Sequence, residues 1–151
     1  MRADPQAAPD SPDDYGVPTV PTNRTPAQIV GLGVEMRVKG NRALPGTGVV
    51  WMRHHIPIVP DAPSSSMARV ALCGDFGNGM SGPPSEAWPP PVAFPNADLD
   101  IRMLRDSNEE WIRIDARSAW NETGIGITRT ELQDAKGLLA VAQQSLALAP
   151  S

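Results

Sequence analysis

The sequence predicts an α+β domain in which one antiparallel sheet wraps a single central helix. Three observations carry this: segments of apolar–polar alternation, hairpin-type connections among the later segments, and one stretch of helical spacing introduced by three serines. At 151 residues the chain has room for one ordinary core and not comfortably for two.

The first strand begins at Val34, where Val34, Met36 and Val38 fall on one side and Glu35 and Arg37 on the other. Residues Gly40 to Gly48 turn the chain, and Val49 to Ile58 is the second strand, closed by Pro57 and Pro60, which cannot continue a ladder. Ser64, Ser65 and Ser66 then offer N-caps to a helix over Met67 to Phe76. Its spacing places Ala68, Leu72 and Asp75 near one face, with Ala71 beside them, and Gly74, Gly77 and Gly79 end it. Ser81 to Pro95 holds Pro83, Pro84, Pro89, Pro90, Pro91 and Pro95 and must be a loop.

Four strands follow: Asp98 to Leu104, Trp111 to Arg117, Gly124 to Leu132 and Leu138 to Leu148. In the first, Leu99, Ile101 and Met103 oppose Asp98, Asp100 and Arg102; in the second, Ile112, Ile114 and Ala116 oppose Trp111, Arg113 and Asp115. The connections at 106–108 and 134–137 carry hairpin chemistry. Ahead of all these elements, residues 1–26 hold Pro5, Pro9, Pro12, Pro18, Pro21 and Pro26 among Asp4, Asp10, Asp13 and Asp14, with only Val17 and Val20 resembling core residues. That composition predicts a disordered Pro/Asp-rich leader, dispensable for folding, or a linker, with the folded domain over 27–151.

Composition narrows the function. A net charge of −4 and a pI near 5.1 argue against a nucleic-acid partner, which calls for a basic surplus. No run of about 18 apolar residues predicts a membrane span, and the first residues lack a secretory signal, so the expectation is a soluble, cytoplasmic protein. The lone Cys73 makes no internal disulfide and no thiolate metal cage, and is expected to pack inside the helix.

Polar residues at core-facing positions are the candidates for chemistry. Asp75, in the string CGDFGNG, is either a helix-terminal carboxylate facing water or a site residue. The triplet Asp75-Phe76-Gly77 echoes a kinase metal motif, but no phosphate loop or catalytic loop accompanies it. Gln144 shares a strand face with Ala140, Ala142, Leu146 and Leu148, and is either a structural crosslink or part of a site; Gln143 points the other way. Asn96 follows Pro95 where a turn asparagine is common. His54 and His55, as strand neighbours, face opposite sides and do not chelate one metal together. Asn121-Glu122-Thr123 matches a glycosylation acceptor without a secretory signal to expose it, and Trp51, Trp88, Trp111 and Trp120 read as core or interface.

The segments beginning at Trp51, 68–79 (ARVALCGDFGNG), 94–99 (FPNADL), 110–117 (EWIRIDAR) and 142–146 (AQQSL), taken in order, resemble the C-terminal half of acyl-CoA thioesterase II-like proteins over residues 30–149. The resemblance implies the hotdog fold, a sheet wrapped round a long helix. It also implies hydrolysis of a fatty acyl-CoA thioester by an activated water, with Asp75, Gln144 and Asn96 at the hydrolytic positions, Asn96 standing where the best-known members carry threonine. CoA is the leaving group, so the implied reaction takes no cofactor and no metal. Family members usually carry two hotdog domains, so the resemblance further implies a homodimer or pairing with a second hotdog domain. The alternative is a non-catalytic acyl-CoA-binding or dimerisation module, the C-terminal half of a double-hotdog protein. Hydration of an enoyl thioester ranks last, because His54 and His55 lie outside the positions where its base would stand.

Overall fold

The computed structural model describes residues 10–17, 33–38, 45–83 and 92–150. Two long hairpins form the centre. Strands β5 (Ile112–Trp120), β6 (Ile125–Asp134) and β7 (Gly137–Ala147) run antiparallel, flanked by β2 (Thr47–His54) and β1 (Val34–Val38) on one side and β4 (Asp100–Met103) on the other. The six-stranded order is β1-β2-β5-β6-β7-β4, and a small second sheet pairs β3 (Val92–Ala93) with β8 (Ala149–Pro150). Alternation along each central strand explains the sheet: Ile112, Ile114 and Ala116 of β5, Leu132 of β6, and Ala140, Ala142 and Leu146 of β7 are buried, while Arg117, Arg129 and Gln143 face out.

Helix α1 (Ser66–Asp75) lies against this inner face, and a further turn, α2 (Gly77–Met80), follows it directly. The Ser65 hydroxyl caps α1 by accepting from the Ala68 N–H at 3.1 Å. The buried residues of α1 are Val70, Cys73 and Gly74, so the packed face is displaced from the expected one: Ala68 and Leu72 are half-buried and Asp75 is exposed. The reason is Gly74. It is not a stop; a Cβ there would sit 3.3 Å from Ile101 and 3.5 Å from Ala142, so its bare backbone lets the helix settle onto β4 and β7. Burial pushes the Cys73 thiol up to about 12, leaving it a packing residue.

Other boundaries move for local reasons. Strand β2 starts at Thr47 and ends at His54 rather than running from Val49 to Ile58, and Ile56, Ile58 and Val59 are exposed beyond it. Strand β5 continues to Trp120, where the Asn121 carboxamide accepts from the N–H groups of Thr123 and Ile125 and Gly124 takes φ +83, making a hairpin turn of the Asn-Glu-Thr triplet. The 134–137 connection is the expected hairpin, with Gly137 at φ +102. The 106–108 connection is not a hairpin, because β4 pairs with β7 while β5 pairs with β2 and β6. Its turn-forming residues instead anchor a crossing. Within the expected leader, residues 10–17 also depart from expectation: Gly16 and Val38 exchange backbone hydrogen bonds of 2.9 and 2.8 Å, and Tyr15 is buried. The rest of 1–26 lies outside the described residues, as does Trp88.

Trp51 is buried, and Trp111 carries the guanidinium groups of Arg53 and Arg37 over its ring at 4.8 and 5.4 Å. Among the described residues, no helix is long and apolar enough to cross a membrane.

The crossing from β4 to β5 is held by a buried ion pair. Asp134, fully buried, accepts two bonds from Arg105 (2.5 and 2.8 Å), one from the Ser107 hydroxyl (2.6 Å) and one from the Lys136 N–H (2.8 Å). Burial alone raises this carboxyl, but Arg105, Ser107 and Lys136 outweigh it and hold it at about 2. Because the folded value lies below the unfolded one, the ionised carboxylate stabilises the fold above pH about 4, and that contribution is lost as pH falls towards about 2. Urea unfolding should show a loss of about 2 kcal/mol across that window. In Asp134→Asn the stability at pH 7 should drop by about 2–4 kcal/mol and this acid-dependent step should flatten.

Candidate functional site

The end of α1 meets β7 at Gln144, and the meeting is made by a side-chain amide. Gln144 Nε2 donates to the Asp75 carbonyl at 3.3 Å, and its Oε1 accepts from the Asn78 N–H at 3.2 Å. Gln144 is 1 % exposed, on the face of β7 between Ala142 and Leu146 that alternation assigns to the core. One buried amide thus serves one orphan carbonyl and one orphan N–H at the junction of α1 and α2. The Asp75 carboxylate turns away from this crosslink into solvent, where Oδ1 accepts from Asn96 Nδ2 at 3.1 Å.

Asn96 is fixed by its own segment. Ala97 N donates to the Ser145 carbonyl at 2.8 Å and Ala147 N to the Pro95 carbonyl at 3.2 Å, so 95–97 runs beside β7, with Asn96 bridging Leu146. Asp98 completes the attachment, its carboxylate accepting from the Ser145 N–H (2.6 Å) and hydroxyl (2.9 Å). Those two bonds hold the Asp98 carboxyl below its usual range, the backbone N–H first. The structure therefore brings Asp75, Asn96 and Gln144 together from three separate stretches of chain. Gln143 faces the opposite side, beside Asp98, Asp100, Arg102 and Arg129. His55 Nε2 is engaged at 3.1 Å with Glu35, away from this group.

Sequence reasoning overlooks Asn78, Asp98 and Thr130. Asn78, beyond supplying its N–H to Gln144, donates through Nδ2 to the Phe94 carbonyl at 3.3 Å and so ties α2 to the segment carrying Asn96. Its signal is a lone carboxamide between two glycines. Gly77 is needed there: a Cβ would overlap Thr130 Oγ1 and stand 3.1 Å from Gln144 Oε1. Thr130 is itself buried, and its hydroxyl finds no hydrogen-bond partner among the described residues.

Gly77→Ala should therefore destabilise the fold by about 1–3 kcal/mol, as is typical of an overpacked methyl, and lower the melting temperature accordingly. The double variant Gly77→Ala/Thr130→Ala should recover part of that loss. Thermal unfolding of the four members of this cycle checks the contact, and strict additivity would contradict it.

Over residues 3–148 the chain matches the family described as acyl-CoA thioesterase C-terminal domain. Among solved structures it is similar to an acyl-CoA thioesterase II, TesB2, from Mycobacterium marinum, with 22 % identity and a TM-score of 0.70 over 100 % of this chain and 58 % of that one. It is also similar to a putative thioesterase from Novosphingobium aromaticivorans, with 22 % identity and a TM-score of 0.64 over 96 % of this chain and 54 % of the other. A hot-dog-fold protein of unknown function from Alicyclobacillus acidocaldarius gives a TM-score of 0.66 at 18 % identity, over 100 % of this chain and 58 % of that chain. These likenesses establish the hotdog fold, and the chain spans a little over half the length of these relatives. No curated protein matches it significantly. By the match that covers nearly all its length, the chain belongs to the acyl-CoA thioesterase C-terminal domain family.

Proposed function

We propose that the chain hydrolyses an acyl-CoA thioester to the free acid and CoA, with Asp75 as the base that activates water. The observation that carries this reading is an exposed carboxylate, Asp75, held at its side chain by the Asn96 carboxamide and at its backbone carbonyl by the buried Gln144 carboxamide, in a thioesterase-family hotdog domain. Asn96 occupies Oδ1 of Asp75, which leaves Oδ2 to take a proton from water as the water oxygen attacks the thioester carbon. The carbon–sulfur bond of the adduct then breaks, and the proton held by Asp75 passes to the departing CoA sulfur, which leaves as the thiol and restores the carboxylate. Asn96 orients the carboxylate. Gln144 holds the backbone that bears it. Nothing in this sequence of steps calls on a cofactor.

Asp75→Asn preserves shape and removes the base, so thiol release from a panel of acyl-CoA chain lengths should fall by about 10²–10⁴-fold while the circular dichroism spectrum is unchanged. Gln144→Ala should also lower turnover, and Gln143→Ala should leave it near wild type. Full hydrolysis by Asp75→Asn would defeat the assignment.

A second reading, an acyl-CoA-binding or pairing module, draws support from the length relation, because the solved relatives are nearly twice as long as the region they share with this chain. Both readings call for a second hotdog domain beside this one, as a homodimer or on another chain, since β1 and β4 leave the ends of the sheet open. Sedimentation at micromolar concentration should show a species near twice 16.1 kDa. A monomer there, binding acyl-CoA without releasing thiol, would favour the module.

A further inference from the structure

Three inward-facing hydroxyls lie beside Gln144 in a row that the assigned chemistry does not use. Ser118 of β5 is in register with Thr128 of β6, and Thr128 with Gln144 of β7, so the three side chains cross the sheet side by side. Thr128 and Ser81, the residue after α2, are fully buried. Their oxygens form a chain: Thr128 Oγ1 to Ser118 Oγ at 2.6 Å, Ser118 Oγ to Ser81 Oγ at 2.6 Å, and Ser81 Oγ to the Gly77 carbonyl at 2.8 Å.

The last link orders all the protons. A carbonyl only accepts, so Ser81 donates to Gly77; its oxygen must then accept from Ser118, and Ser118 must accept from Thr128. The chain runs one way, from the strand neighbour of Gln144 to the carbonyl of the glycine that follows the α1–α2 junction. The α2 turn is thereby held at its start by Gln144 and at its end by Ser81, whose hydroxyl and N–H both close back onto the Gly77 carbonyl. Gln144 holds Asp75 O and Asn78 N–H, and the hydroxyl chain holds Gly77 O, with Gly77 seated against Thr130 and Met80 against Gly48, where neither glycine has room for a Cβ. Buried hydroxyls on a sheet face cost free energy that alanine or valine would avoid, and are tolerated because each is bonded here. Their common endpoint is the one turn on which the Asp75–Gln144 geometry depends.

We propose that Thr128, Ser118 and Ser81 are positioning residues, a one-way hydroxyl chain that sets the α2 turn and through it the placement of Asp75 relative to Gln144. The inference rests on the hydrolytic reading of those two residues. It is tested with Thr128→Val, which keeps the shape and deletes the donor, Thr128→Ser, which restores the hydroxyl, and Ser118→Ala, which breaks the chain one link further on. Two readouts are taken on each folded variant: kcat and KM for acyl-CoA hydrolysis, and the NMR signals of the Asn78 amide and the Gln144 side-chain amide.

Thr128→Val and Ser118→Ala should lower kcat at least tenfold with KM nearly unchanged and should move both amide signals, while Thr128→Ser should return both readouts to near wild type. Wild-type kcat and unmoved amide signals in Thr128→Val and Ser118→Ala would overturn the proposal and leave the hydroxyls as packing. If the wild-type chain hydrolyses no thioester, the hydrolytic reading has failed, and the amide signals decide the positioning role by themselves: displaced signals support it and unmoved ones overturn it.

Discussion

Everything at the candidate site depends on one buried amide. Gln144 reaches from the middle of β7 to the end of α1 and satisfies a carbonyl and an N–H that the helix junction would otherwise leave without partners. A carboxamide suits this place because it offers a donor and an acceptor from one planar group, where a carboxylate would accept only and an apolar side chain would leave both backbone groups unpaired in the core. The consequence is geometric. The last residue of α1 is pinned by its backbone, so its side chain is free to face solvent while its position is fixed.

The sheet supplies the rest of that rigidity. β6 and β7 are long strands, in continuous register from Ile125 to Leu132 with a shift before the short turn that joins them, and the segment 95–97 is laid along β7 by backbone bonds reinforced by Asp98. Asn96 therefore approaches Asp75 from a strand-like support and not from a free loop. The buried Asp134–Arg105 pair performs the equivalent task at the far end of the same two strands, fastening the crossing between β4 and β5. One hairpin is thus secured at its turn by charge and at its open end by amides and hydroxyls.

Much of this was legible in the sequence where periodicity speaks plainly. The alternation of Ile112, Ile114 and Ala116, and of Ala140, Ala142, Gln144 and Leu146, placed Gln144 on the core face and Gln143 outside it, as the fold has them. The helix face was less legible, because Val70, Cys73 and Gly74 fit a helical period as well as Ala68, Leu72 and Asp75 do, and the close approach at Gly74 distinguishes the two. Composition misjudged Tyr15, since a single aromatic among prolines and aspartates carries no period, although its backbone neighbour pairs with β1. The hydroxyls of Ser118, Thr128 and Ser81 were invisible for another reason: serine and threonine are ordinary strand and turn residues, and only the register of β5 on β6 and the seating of the end of α2 against β5 show that they touch.

The central claim is that Asp75 acts as a base on water and not as a nucleophile on the thioester. A single turnover of acyl-CoA in ¹⁸O-labelled water, with the protein in excess and the products and the Asp75 peptide analysed by mass spectrometry, tests this most directly. Direct attack by water places one labelled oxygen in the released acid and none in Asp75. Label in the Asp75 carboxylate with an unlabelled first-turnover acid, or no cleavage of the thioester at all, would contradict the account.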